Sequence, residues 1–252
     1  MQYLEQTELS DGIVQLRLHN GVTNAIHLDL LHELHQAVDG MGPATRGLLL
    51  VGGEKFFCIG LDLPWGLAQS RASMRTLFKV EGQLVLRLLE MRIPVVGAMQ
   101  AHAIGAGTTL LMACDYRYGP TGRALLGLNE VRIGVPNPYF ADQLLRFLAG
   151  DGVASDLITS GRLETAEAWV KLGLLHGAFP KAEVEARALA HLRELARLHQ
   201  PAFALNKTMR TEALCERIRR RQEGHLDELL DIWFADATQA LLRTGLAPFH
   251  KA

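Results

Sequence analysis

The chain has 252 residues, enough for one large domain or for a domain with an appendage. With 48% hydrophobic and 21% charged residues it reads as globular rather than disordered. A formal net charge of −1 argues against nucleic acid or an anionic membrane as the main partner. Cys58, Cys114 and Cys215 are scattered and lack metal-ligand spacing. The N-terminus, MQYLEQTELSDG, has no apolar run, and no stretch of about 18 apolar residues is present to span a bilayer. The expected setting is the cytoplasm, with no metal.

In chain order, residues 13–18 (IVQLRL) alternate as a strand, and Asn20-Gly21 signals a turn. Apolar residues at 28, 31, 34 and 38 fall at helical spacing, and Gly40 stops that helix. LLLVGG at 48–53 suits a strand buried on both faces. A long helix follows over 74–91, with Met74, Leu77, Phe78, Leu84, Val85, Leu88 and Leu89 on one side. VVGAM at 95–99 is the next buried strand and 104–112 the next helix, so the first half reads as α/β. The second half reads as mostly helical. Thr165 caps one helix, residues 183–198 form an amphipathic one, and a last helical region runs from Pro201 to about Thr244. The corresponding division is a core over 1–198 and a C-terminal helical region over 199–252.

The glycines carry the first chemical signal. Gly60 precedes Leu61 at the end of FFCIG, and Gly105-Ala106-Gly107 opens a helix. The Ala106 N–H at a helix N-terminus and the Leu61 N–H together offer two donors to one oxygen, the arrangement of an oxyanion hole. The alternative is that the glycines only let a helix approach a strand. Leu110 stands where a dinucleotide fingerprint needs Gly or Ala, and no GxxxxGK[ST] loop occurs. Glu130, in LNEVRIGVP, is the candidate base; alternatively it pairs with Arg132 or Arg123, or faces solvent. Asp62 reads as a loop cap, Asp115 as structural, and the three tryptophans as packing residues.

The combination of NAI (24–26), FCIGLDL (57–63), AHAIGAGTTLLMACDYR (101–117), LNEVRIGVP (128–136) and SGRLETAEAWVKLGLL (160–175) resembles the crotonase, or enoyl-CoA hydratase/isomerase, superfamily. The resemblance implies an α/β spiral of ββα turns and a C-terminal helical region that builds a trimer, often a dimer of trimers. It implies an acyl-CoA thioester substrate, with CoA entering as part of the substrate and no separate cofactor. It places Glu130, Leu61 and Ala106 in catalysis. Substrate contacts are implied for Ala25, Ile59, Gly60, Asp62, Leu63, Gly105, Thr109 and Lys207. Lys55 and Lys207 are the candidates for the CoA phosphates, and residues 64–80 and 136–144 for the acyl pocket.

Hydratases of this family carry two glutamates that position a water. Thr109 occupies the place of the first, and Glu130 matches the second. Threonine is no carboxylate base near neutral pH, whereas one carboxylate beside an oxyanion hole suffices to move a proton along a dienolate. The pattern CDYR followed by GLNE resembles the Δ3-Δ2-enoyl-CoA isomerases, although threonine at 109 and PNPYFADQ after the glutamate depart from family patterns. The leading expectation is therefore an isomerase. A thioesterase, decarboxylase or hydratase on the same fold stands as the alternative, and a catalytically silent acyl-CoA binding protein as a third.

Overall fold

The computed structural model describes residues 1–246. The chain opens with an antiparallel hairpin of β1 (Leu4–Glu8) and β2 (Ile13–Leu18), then α1 (Leu28–Asp39). Three turns of a common pattern follow. The first is β3 (Gly47–Val51), β4 (Phe56–Cys58), α2 (Leu63–Leu67) and α3 (Arg71–Glu90). The second is β5 (Val95–Ala98), β6 (His102–Ile104) and α4 (Ala106–Met112). The third is β7 (Tyr116–Pro120), β8 (Leu125–Gly127), a 3-10 turn over Glu130–Ile133, and α5 (Tyr139–Ser160). Then come β9 (Glu164–Thr165), α6 (Ala166–Lys171), β10 (Gly177–Phe179), α7 (Val184–Ala196), α8 (Gln200–Trp233) and α9 (Asp236–Leu246).

In each turn the first strand joins one sheet and the second joins another. The larger sheet runs β1-β2-β3-β5-β7-β10 and the smaller β4-β6-β8-β9. The chain thus advances as a spiral of ββα turns, as the sequence resemblance implied. β3 shows why its residues are apolar throughout. Leu48 and Leu50 face the main core, while Leu49 and Val51 face a second core that α7 covers with Val184, Ala188 and Leu192. Gly107 has no room for a side chain, since an added Cβ would lie 2.3 Å from Cys58 O. That close approach locks α4 against β4.

The helical C-terminal region differs from the expected appendage. Leu226, Leu229, Leu230 and Trp233 fold back into the same core as α3 and α5. The apolar stripe thus finds its partner within its own chain, and it gives no argument for assembly. Leu241, on α9, is exposed. Residues 247–252, the end of the expected C-terminal region over 199–252, lie outside the described residues.

Lys207 is also a correction. It is buried on α8, where its Nζ donates to Asp115 Oδ2 at 2.6 Å and to Ile93 O at 3.3 Å. Asp115 in turn accepts from Val95 N at 2.9 Å and from Arg210 at 2.6 Å. The ammonium that was expected at substrate ties α8 to the β5 edge instead. Lys207→Met removes the buried cation and leaves Asp115 half-paired. Breaking such a pair typically costs about 3–5 kcal/mol, and Arg210 keeps the loss near the lower figure. Urea unfolding of the variant is expected to show a midpoint well below wild type, and an unchanged midpoint refutes the assignment.

Candidate active site

The site follows from the smaller sheet. β4, β6 and β8 are adjacent and parallel, so the segments that leave their C-terminal ends lie side by side. Those segments are 59–62, 105–106 and 128–130, the three glycine- or glutamate-bearing motifs. Crevices at the carboxyl ends of parallel strands are where open α/β sheets bind ligands.

The first segment is held by the NAI motif. Ile59 N donates to Thr23 O, Ile26 N to Gly60 O, and Asp62 N to Ile26 O. This parallel bridge consumes the groups on either side of Leu61 and leaves the Leu61 N–H itself without an acceptor among the described residues. Asn24, with φ 48°, is the buried organiser. Its side chain accepts from Asn20 N and donates to Phe56 O and Phe57 O. Asp62 caps α2 by accepting from Trp65 N at 2.9 Å.

The second segment turns at Gly105, whose φ of 55° and ψ of −123° favour glycine. Ala106 is the first residue of α4, so its N–H has no intrahelical acceptor, and none exists elsewhere among the described residues. The two loops touch. A Cβ added at Gly60, itself at φ 101°, would stand 2.8 Å from Ile104 O and 3.3 Å from Ala106 N. Thr108 clips α4 to β8, accepting from Gly127 N and donating to Ala103 O at 2.6 Å.

Glu130 begins the 3-10 turn after β8. Its Oε1 lies beside Gly105, 3.1 Å from where a Cβ would be, and its Oε2 is buried with no hydrogen-bond partner among the described residues. Burial pushes its carboxyl from 4.5 up to about 7. The surface pairing with Arg132 or Arg123 that the sequence left open is not made; Arg132 donates to Ser160 O instead.

These groups line one cavity of about 300 Å³. Ile59, Gly60, Leu61, Leu63, Gly105, Ala106, Thr109 and Glu130, all named from sequence, face it; Ala25 and Asp62 do not. Ala25 instead accepts from the Asn20 side chain at 2.7 Å. The apolar walls include Phe78, Pro136 and Pro138, within the expected acyl-pocket segments, but also Trp233 and Leu242 from α8 and α9. Thr109 is buried with its hydroxyl 3.4 Å from Gly105 O, one turn back along α4.

One carboxyl on the cavity wall was missed. Glu81 of α3 is 5% exposed and lines the same space as Glu130. Burial, and then the charge of Glu130, push it from 4.5 up to about 8. Its signal was present in the sequence. Position 81 sits within the i, i+3, i+4 stripe of Met74, Leu77, Phe78, Leu84, Val85 and Leu88, where an acidic residue is out of place.

Comparison with known proteins agrees with this fold. The crystal structure of human mitochondrial delta3-delta2-enoyl-CoA isomerase superposes with a TM-score of 0.94 at 22% identity, covering 99% of each chain. In sequence, the chain is 23% identical to enoyl-CoA delta isomerase 1, mitochondrial, of Homo sapiens over 247 residues, 96% of this chain and 82% of that protein. It is 30% identical to crotonyl-CoA hydratase of Syntrophomonas wolfei, over 91% of this chain and 88% of that protein. It spans only 23% of the length of the human peroxisomal bifunctional enzyme, which it also matches. The enoyl-CoA hydratase/isomerase family model matches residues 8–231. On that match and on the ββα spiral that carries the motifs, the chain belongs to the enoyl-CoA hydratase/isomerase family.

Proposed function

We propose that this protein is an enoyl-CoA isomerase that moves a Δ3 double bond of an acyl-CoA thioester to Δ2. The observation that carries the reading is the make-up of the α4 side of the cavity. Glu130, with one oxygen unpartnered, lines the same cavity as the free N–H of Ala106, while Thr109, on the family resemblance, stands where a hydratase holds its other glutamate. The Leu61 and Ala106 N–H groups polarise the thioester carbonyl, which acidifies the C2 proton and stabilises the dienolate oxygen. Glu130, with its basicity raised by burial, removes that proton. Trp233, Phe78 and Leu242 receive the acyl chain. Lys55 and Arg123 line a surface cleft that shares Phe56 with the cavity, and they supply positive charge for the CoA phosphates.

A panel of 3-enoyl-, 2-enoyl- and saturated acyl-CoA thioesters, read for isomerisation, hydration and CoA release, tests the reading. Conversion of 3-enoyl- to 2-enoyl-CoA faster than hydration of crotonyl-CoA supports it. Dominant hydration or CoA release assigns the fold to a hydratase or a thioesterase instead, and no turnover at all to a binding protein.

Assembly as a homotrimer, or a dimer of trimers, belongs to the same proposal. Leu205 and Met209 on α8 and Ile232 near its end are exposed, 57%, 56% and 44% respectively, and a neighbouring copy covers such side chains. Sedimentation at micromolar concentration is expected to give a multiple of three chains of 27.8 kDa, and a stable monomer refutes it. The three cysteines are buried and unpaired, which suits the reducing cytoplasm proposed for it.

A further inference from the structure

The isomerase reading leaves Glu81 unused, and the structure gives this residue no ordinary structural purpose. Its carboxyl makes no ion pair and no hydrogen bond with any described residue. Its side chain lines the cavity, and an apolar side chain would continue the stripe of α3 at that position. The placement is nevertheless well defined. Gly82 brings α3 so close to its neighbours that an added Cβ would lie 2.5 Å from Gln222 Oε1 and 2.9 Å from Phe140 Cδ1. The helix that carries Glu81 is therefore pinned between α5 and α8. Glu81 and Glu130 are the two ionisable side chains among the residues lining the cavity, and they arrive from different elements.

We propose that Glu81 is a second catalytic residue, the acid that protonates C4 of the dienolate after Glu130 has taken the proton from C2. The proposal rests on the isomerase reading and replaces a one-residue shuttle with a two-carboxyl relay. In the first step the C2–H bond breaks and its proton bonds a Glu130 oxygen. The electron pair delocalises over C2, C3, C4 and the thioester oxygen, which Leu61 and Ala106 hold. In the second step the Glu81 O–H bond breaks, its proton bonds C4, and the C2=C3 bond is left. Glu130 is then a carboxylic acid and Glu81 a carboxylate. One proton passed from Glu130 to Glu81, by way of solvent, restores the starting state. No oxidant, reductant or other reactant is consumed. The mutual charge effect of the pair favours this state, since one proton shared between two neighbouring carboxyls keeps one acid and one base ready. Glu81 thereby supplies from α3 the second carboxyl that Thr109 does not supply from α4.

The test uses 3-hexenoyl-CoA carrying deuterium at C2. In ordinary water, wild-type enzyme is expected to give 2-enoyl product with solvent hydrogen at C4. Deuterium carried from C2 to C4 by the wild type overturns the relay, and this arm needs no variant. Glu81→Gln separates the half-reactions. Exchange of C2 deuterium with solvent, the work of Glu130, is expected to stay within a few-fold of wild type. Formation of the 2-enoyl product falls by about 10²-fold or more, the usual loss on removing a positioned acid. Product formation near the wild-type rate, or a parallel fall in both reactions with the fold intact by circular dichroism, overturns the proposal. Wild-type enzyme that exchanges C2 hydrogen but never isomerises overturns the isomerase reading and the relay with it, whereas isomerisation with C2-to-C4 transfer overturns the relay alone.

Discussion

Glu130→Gln is expected to abolish isomerisation while leaving acyl-CoA affinity nearly unchanged. The substitution keeps shape and volume, and it leaves the Leu61 and Ala106 N–H groups and the apolar walls in place, so the groups proposed to hold the thioester are intact. What it removes is the group proposed to accept the C2 proton. Loss of a positioned base typically costs about 10²–10⁴-fold in rate. Because Glu130 is buried with one oxygen unpartnered, the neutral amide is not expected to weaken the fold. Glu81 does not rescue the reaction, since it is the harder of the pair to ionise. Turnover measured with 3-enoyl-CoA, and affinity measured by calorimetry with a saturated acyl-CoA, check both halves. A variant that keeps more than about a tenth of wild-type turnover excludes Glu130 as the sole base.

The elements legible in the sequence were those with a long period or a long apolar run. The strand over 13–18 occurs as read, the buried strand read at 48–53 is found at Gly47–Val51, and the helices read over 28–38 and 74–91 are found at Leu28–Asp39 and Arg71–Glu90. Thr165 caps its helix as expected, accepting from Ala168 N at 3.3 Å. The smaller sheet was not legible. β4, β6 and β8 are three residues each, too short for any alternation to register, yet they place the whole site. Their positions are fixed by long-range contacts such as Asn24 with Phe56 and Phe57, which sequence spacing does not reveal. Lys207 was placed at substrate because NKT at 206–208 resembles the family's late lysine, and only the fold discloses that Asp115 waits 92 residues away. Trp233 was read as packing and does pack, but the same ring also closes the cavity.

The two buried carboxyls also predict an unusual dependence of stability on pH. Burial, and for Glu81 the added charge of Glu130, raise the pair from 4.5 to about 8 and about 7. In the unfolded chain both ionise near the ordinary glutamate value. From about pH 4.5 upward the folded state therefore binds more protons than the unfolded state, and stability falls as pH rises. The contribution is fully present below about pH 4.5 and is lost as pH climbs through about 7 and then about 8. Cys58, the buried thiol nearest in charge effect, is pushed up to about 12 and stays neutral across this range. The proposed two-carboxyl relay predicts a matching window for catalysis. It needs Glu130 ionised and Glu81 protonated, so turnover is expected to peak between about pH 7 and about pH 8. Glu81→Gln has no proton to lose. Its melting temperature is expected to exceed that of the wild type at pH 9 and to converge with it toward pH 5, as read by scanning calorimetry. Parallel melting curves for the two proteins from pH 5 to pH 9 exclude a buried, proton-holding Glu81.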